Sequence, residues 1–274
     1  MGLTFEMEPK TPFGGSLSTL AVIDVASSAI VRKPAALGWE EAAGLPLVGL
    51  TAKTTLSEPL LRLPPSEGDS QQTIVVLGGS SGVGQYVVQL GKAAGLRVIA
   101  TCSATSEHFV RSLGADEVID YTAGSVLESL RVVKPAQGFV TIVDCVGGTE
   151  LLDDLPALLT PKTDSFPHGG SYTTIVGDKT DRSTLGGAML LDTDRTMRAR
   201  QDASQAGSLP YRYACILLDM NAEWLADLAA RAADGRLKVP IDSTYAFEQA
   251  REAYERLGTA RAKGKVVVEV QAAT

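Results

Sequence analysis

The chain has 274 residues, 45% of them hydrophobic, enough to bury one large or two smaller cores. Its formal net charge of −7 gives no basic footprint for nucleic acid, and no uninterrupted apolar run is long enough to cross a bilayer, so neither partner is expected. Three scattered cysteines, Cys102, Cys145 and Cys215, make neither a disulfide framework nor a metal-ligand spacing, which points to a reducing compartment. The opening residues MGLTFEMEPK carry neither a secretory signal nor an arginine-rich transit pattern. A cytoplasmic location is expected, or a mitochondrial one if a targeting segment lies upstream.

In chain order, residues 16–31 alternate like β structure, 34–44 look helical, and EPLLRLPPSEGDSQQ (58–72) reads as a Pro/Ser-rich connector. Strands are predicted over 73–78, 96–102, 117–120, 139–145 and 171–176, alternating with helices over 82–94, 106–113, 125–130 and 150–159. Short apolar strands separated by amphipathic helices imply an α/β fold with a parallel sheet covered on both faces. Gly95 and Gly114 stand where helices should end. Residues 195–210 (RTMRARQDASQAGSLP) read as a polar loop or fraying helix, and YRYACILL (211–218) as another strand. A helix then runs from Asn221, a plausible N-cap, to Ala233, with Gly235 closing it. The tail reads strand, helix (247–257), strand.

Chemistry concentrates in Gly79-Ser80-Ser81-Gly82-Val83-Gly84, which sits between a predicted strand and a predicted helix. A diphosphate needs backbone N–H groups at a helix N-terminus and glycine where the chain approaches it. The usual dinucleotide fingerprint is met except at Ser81, which replaces its middle glycine. The same letters fit a Gly-x-x-x-Gly-x-Gly spacing used by short-chain dehydrogenases, but no tyrosine here has the lysine four residues on that their chemistry requires. The second strand ends in ATCSATSEH, with Thr101 and Ser103 but no carboxylate before Glu107. An acid at that strand end would bind the ribose hydroxyls of NADH, so its lack favours NADPH, with NADH the second choice.

The segments WEEAAGLPLVGLTA, VVLGGSSGVGQYVVQLGKAAG, VIATCSATSEHFVRSLGADEVIDY, VDCVGG, GGSYTTIVG and GRLKVPIDSTYAFEQAREAYERLGTARAKGKVVVEV follow one another over most of the chain. Together they resemble the zinc-independent quinone-oxidoreductase branch of the medium-chain dehydrogenase/reductase superfamily. Within it they are most similar to the reticulon-interacting mitochondrial oxidoreductases and fungal homologues. The resemblance implies a Rossmann domain over 46–235 and a GroES-like β domain formed from both chain ends, 1–45 and 236–274. Only 38 residues precede Trp39, fewer than the family places there, so that β domain is expected to be incomplete. By matching positions, Thr51 would face the nicotinamide-side phosphate, and Ser81, Gly82 and Val83 the pyrophosphate. Ser103 and Tyr121 would lie near the adenosine ribose, Cys145, Val146 and Val176 would line the nicotinamide side, and Lys265 would reach the cofactor from the tail.

The implied activity is hydride transfer from NADPH to a quinone or α,β-unsaturated carbonyl, with no catalytic acid assigned. The alternatives are a nucleotide-binding member without turnover, and a structural role. A homodimer could form through an edge strand drawn from SYTTIVG or YRYACILL. Zinc is not expected: His108 and His168 are the only histidines, and Leu45-Pro46 stands where zinc-dependent relatives carry cysteine. His168 reads as a surface-loop residue, Cys145 as a packing residue, and Tyr213 as an ordinary strand aromatic.

Overall fold

The computed structural model describes residues 1–3, 17–18, 23–61, 71–164, 166–178 and 195–270, with the side chains of 58–61 left aside. The expected β structure at 16 and 19–22, and most of the connector before the first long strand, lie outside the described residues. The chain divides into two compact units, one from Thr51–Leu218 and one from Met1–Leu50 together with Asp219–Thr274.

The inner unit is built on six parallel strands. They are β3 (Thr73–Leu77), β4 (Arg97–Cys102), β5 (Glu117–Asp120), β6 (Thr141–Asp144), β7 (Ser171–Thr174) and β8 (Arg212–Cys215), in the order β5-β4-β3-β6-β7-β8. All five residues of β3 are buried, which is why the sequence there is apolar without alternation. Helices α3 (Gly84–Ala93), α4 (Glu107–Ser112), α5 (Val126–Val133), α6 (Leu155–Leu158) and α7 (Arg195–Gln205) connect the strands. Val75, Ile99, Ile142 and Leu155 are completely inaccessible in the core. Each such side chain contributes roughly 1.5–3 kcal/mol on burial.

Two segments differ from the sequence expectation, and a third settles an alternative it left open. The helix predicted over 150–159 is a set of turns followed by the four residues of α6, because Pro156 lacks an N–H and is tolerated only in a first helical turn. Residues 195–205 form an ordered helix that buries Met197. A helix not predicted at all, α2 (Pro46–Leu61), begins at Pro46. It is apolar on more than one side, with Val48, Leu50, Ala52 and Leu56 all buried, so it has no amphipathic period to detect.

β8 is an outer strand of the sheet, whereas β7 is paired on both sides and offers no edge. The edge of β8 is covered in part by α7. Ser204 Oγ accepts from Tyr213 N–H at 2.8 Å, and Gln201 Oε1 accepts from Cys215 N–H at 3.0 Å.

The outer unit holds two small sheets. β1 (Gly2–Leu3) pairs antiparallel with β2 (Ala29–Ile30), and β9 (Ile241–Ala246) pairs parallel with β10 (Lys265–Glu269) across α9 (Ala250–Gly258). α1 (Trp39–Gly44) packs on β9 and β10. α8 (Ala222–Ala233) is capped as expected, Asn221 Oδ1 accepting from Trp224 N–H at 3.0 Å. Its Leu228 approaches Gly49, and both residues fall in this unit.

Candidate functional site

Parallel sheets hold ligands outside the carboxyl ends of their strands, where the strand order reverses. That point here lies between β3 and β6: the chain builds outward through β4 and β5, then restarts at β6 for the other half.

The loop after β3 has its shape dictated by glycine. Gly78 has φ +80°, and a Cβ on it would lie 2.3 Å from Val146 Cγ1 in the loop after β6. A Cβ on Gly84 would lie 2.1 Å from the carbonyl oxygen of Gly78. The turn is closed by Ser81 N–H donating to Gly78 O at 2.9 Å, and by Gly84 N–H donating to Ser81 Oγ at 3.0 Å. The serine in the middle-glycine position therefore ties the loop to the first turn of α3. Thr101 anchors the loop from β4, its Oγ1 accepting from Gly78 N–H at 2.9 Å and its carbonyl from Gly79 N–H at 2.8 Å. Its hydroxyl is thus engaged inside the fold.

With these bonds made, the N–H groups of Ser80, Gly82 and Val83 have no acceptor among the described residues, at the head of the ten-residue α3. Unbonded N–H groups at the positive end of a helix dipole suit an anion such as a diphosphate.

The flank formed by β4 and β5 carries hydroxyls. Ser103 is half-buried with its Oγ 3.1 Å from Thr105 Oγ1, and Tyr121 is about half exposed just past β5, its N–H donating to Cys102 O at 3.2 Å. Asp120 accepts from the hydroxyl of Thr122 at 2.7 Å and its N–H at 2.9 Å, and these bonds hold its carboxyl below the usual range. Glu107 is engaged by Arg111 at 2.8 Å.

On the opposite flank, Cys145 is buried and Val146 partly exposed beside Gly78. Burial, and then the nearby Asp144 charge, push the Cys145 thiol up, while a hydrogen bond with Ser81 opposes them, so it is a packing residue and a poor nucleophile. Val176 lies in the loop after β7, its N–H donating to Thr174 Oγ1 at 3.2 Å. The structure thus sets Cys145 and Val146, after β6, beside the loop of Gly79, Ser80, Ser81, Gly82, Val83 and Gly84 after β3, with Ser103, Tyr121 and Val176 at the ends of neighbouring strands. Thr51 is buried in α2. Lys265 heads β10 with its stem against Gly44, and burial holds its ammonium below the ordinary lysine value.

Sequence reasoning overlooked a buried polar network at the ends of β6 and β7. Asp144 at the end of β6 is fully inaccessible and accepts from Val146 N–H (3.0 Å), Gly147 N–H (2.9 Å), Tyr172 Oη (3.0 Å) and Thr174 Oγ1 (3.1 Å). Burial pushes its carboxyl up, and the four donors oppose that rise. Tyr172 stacks on Tyr213 with ring centroids 5.8 Å apart, and Tyr213 and Arg200 both bond Asp178. The available signal was an acid and several hydroxyls, TIVD and SYTT, inside strands that are otherwise apolar and buried.

Among the described residues, no three His, Cys, Asp or Glu side chains gather as a metal site. His108 and His168 are both exposed, on α4 and in the turn after Phe166. The described donor set does not fit a bound zinc ion.

Residues 113–268 match the zinc-binding dehydrogenase family. The mitochondrial NAD(P)H oxidoreductase RTN4IP1 of Mus musculus is 33% identical over 259 residues, 93% of this chain and 61% of that one. The chloroplast envelope quinone oxidoreductase homolog of Arabidopsis thaliana is 31% identical over 259 residues, 93% of this chain and 69% of that one. Among solved structures, the quinone oxidoreductase from Coxiella burnetii superposes with a TM-score of 0.67 at 22% identity, covering 91% of this chain and 66% of that one. The chain spans about three fifths of the length of the mitochondrial relatives it matches. Fold, glycine loop and matched relatives agree: the chain belongs to the zinc-binding dehydrogenase family, in the quinone-oxidoreductase branch of the medium-chain dehydrogenase/reductase superfamily.

Proposed function

We propose that this chain binds NADPH across the crevice between β3 and β6 and passes hydride to a quinone or an α,β-unsaturated carbonyl without a catalytic zinc. The observation that carries the reading is the set of unbonded N–H groups of Ser80, Gly82 and Val83 at the switch point of the sheet. When bound, the dihydronicotinamide supplies the hydride; the protein orients the two reactants and excludes water. The glycine loop would grip the diphosphate, with Ser103 and Tyr121 beside the ribose and Cys145, Val146 and Val176 walling the reactive ring. Thr51 and Lys265 are proposed as further cofactor contacts, from the family resemblance alone.

The preference for NADPH over NADH rests on the lack of a carboxylate at the end of β4, Asp120 being engaged by Thr122. The outer unit is read as the GroES-like part of the fold. A homodimer paired along β8 would compete with the bonds from Ser204 and Gln201, so the double variant S204A/Q201A is expected to dimerise more readily in size-exclusion runs. A mitochondrial or cytoplasmic site of action is proposed, the former by likeness to the RTN4IP1 relatives.

The test is calorimetric titration with NADPH and NADH, followed by NADPH consumption against a panel of quinones and enones. Tighter binding of NADPH and turnover with at least one acceptor are expected. A well-folded sample that takes up neither nucleotide overturns the reading.

A further inference from the structure

The four bonds on Asp144 do more than neutralise a buried acid. Asp144 and Thr174 are directly paired across β6 and β7, each the last residue of its strand. Asp144 Oδ1 accepts from Val146 N–H and Gly147 N–H, at 3.0 and 2.9 Å, and so curls the loop after β6. Thr174 Oγ1 accepts from Val176 N–H and Gly177 N–H, at 3.2 and 3.0 Å, and so curls the loop after β7. The hydroxyl proton of Thr174 then goes to Asp144 Oδ2 at 3.1 Å. One buried carboxylate and one buried hydroxyl therefore join the two loops into a single bracket. Through Val146, whose Cγ1 sits over Gly78, the bracket also meets the glycine loop.

We infer that Asp144 and Thr174 are positioning residues that set the spacing of the loops after β6 and β7, on one side of the switch point, and with it the placement of the reactive ring. This rests on the nucleotide reading above. Tyr172 provides the contrast that makes it testable. Its hydroxyl also donates to Asp144 Oδ2, at 3.0 Å, but its ring stacks away toward Tyr213 and it holds neither loop. A purely structural role for the cluster would make loss of either hydroxyl equivalent.

The experiment uses the full chain with T174V, T174S and Y172F. Melting temperature, NADPH affinity, the fluorescence of bound NADPH, and kcat and KM with an accepted quinone or enone are measured for each. T174V is expected to keep NADPH affinity within a few-fold, since the diphosphate grip is intact, yet to shift the fluorescence of the bound ring and lower kcat by about 100-fold, the scale of an ångström misplacement. T174S, which keeps the hydroxyl, is expected to restore both, while Y172F lowers the melting temperature and leaves kcat near wild type. If T174V does not fold, D144N carries the same comparison. Its amide leaves the hydroxyl proton of Thr174 without the carboxylate oxygen, so the same fluorescence shift and kcat loss are expected. Wild-type fluorescence and kcat in T174V or D144N, or an equal loss of kcat in Y172F, overturns the inference while leaving nucleotide binding standing. A folded wild-type chain that binds no NADPH overturns both.

Discussion

The sheets of the two units differ in how deeply they are buried. In the inner unit, β3 and β6 are buried along their whole length, and the polar groups that enter the core, Asp144, Tyr172 and Thr174, satisfy one another there. In the outer unit, β9 and β10 are mostly half-buried, and Trp39, Tyr254 and Leu257 remain exposed. Its best-made polar contact is Arg256 gripping Asp242 with both nitrogens, Nε at 2.8 Å and Nη2 at 2.6 Å. The contrast teaches that stability by burial and stability by paired charge can sit in one chain, and that they should answer differently to mutation and to acid.

The hardest blow should come at the glycine loop. Gly84→Ala would drive a Cβ into the carbonyl of Gly78, a backbone atom that cannot swing aside. We expect NADPH binding to vanish in calorimetry and the inner unit to lose about 3 kcal/mol in denaturant melts. Next, Ile142→Ala in the fully buried β6 should cost about 3–4 kcal/mol, the range for emptying a core site. Val268→Ala, on a half-buried position of β10, should cost only about 1 kcal/mol; equal losses would erase the distinction between the units.

Acid sharpens the comparison further. The Arg256 hydrogen bonds lower the Asp242 carboxyl from 3.8 to about 2. Because the folded value lies below the unfolded one, the stabilisation is complete above pH 3.8 and is lost as pH falls through about 2. Asp242→Asn should therefore melt lower than wild type at neutral pH, by about 1–2 kcal/mol after allowing for partial exposure of Arg256, with the gap closing in strong acid. A gap that persists unchanged at pH 2 would sink this account. The smallest effect belongs to Arg251→Ala, whose partner Glu255 lies one helical turn away on an exposed face. We expect a stability change within about 0.5 kcal/mol.

Much of this architecture is legible in the residues. Strand–helix alternation located the first five strands of the inner sheet to within two residues, because strands buried on both faces must be apolar throughout; β8, expected over 211–218, is shorter. Gly95, Gly114 and Gly235 all adopt the positive φ that their helix-ending positions required, at +80°, +109° and +77°. The glycine loop was legible for the same reason, since only glycine fits against Val146 and within the turn at Gly84. Legibility failed where partners are distant in sequence. For α7 the residues left a polar loop or a fraying helix open until Gln201 and Ser204 are seen bonded to β8 and Arg200 to Asp178. The role of Thr101 is likewise decided by a distant partner, its hydroxyl holding Gly78, 23 residues away.

By itself, then, the sequence determined the alternation of elements, the doubly wound sheet they imply, the glycine turn after β3 and the family. Those depend on local rules: side-chain period, and glycine's freedom at positive φ. Only the tertiary structure decided which polar residues are spent on the fold and which stay open to a ligand. That choice depends on which strands become neighbours, and two residues such as Asp144 and Thr174, thirty positions apart, meet only because β6 and β7 pair in register.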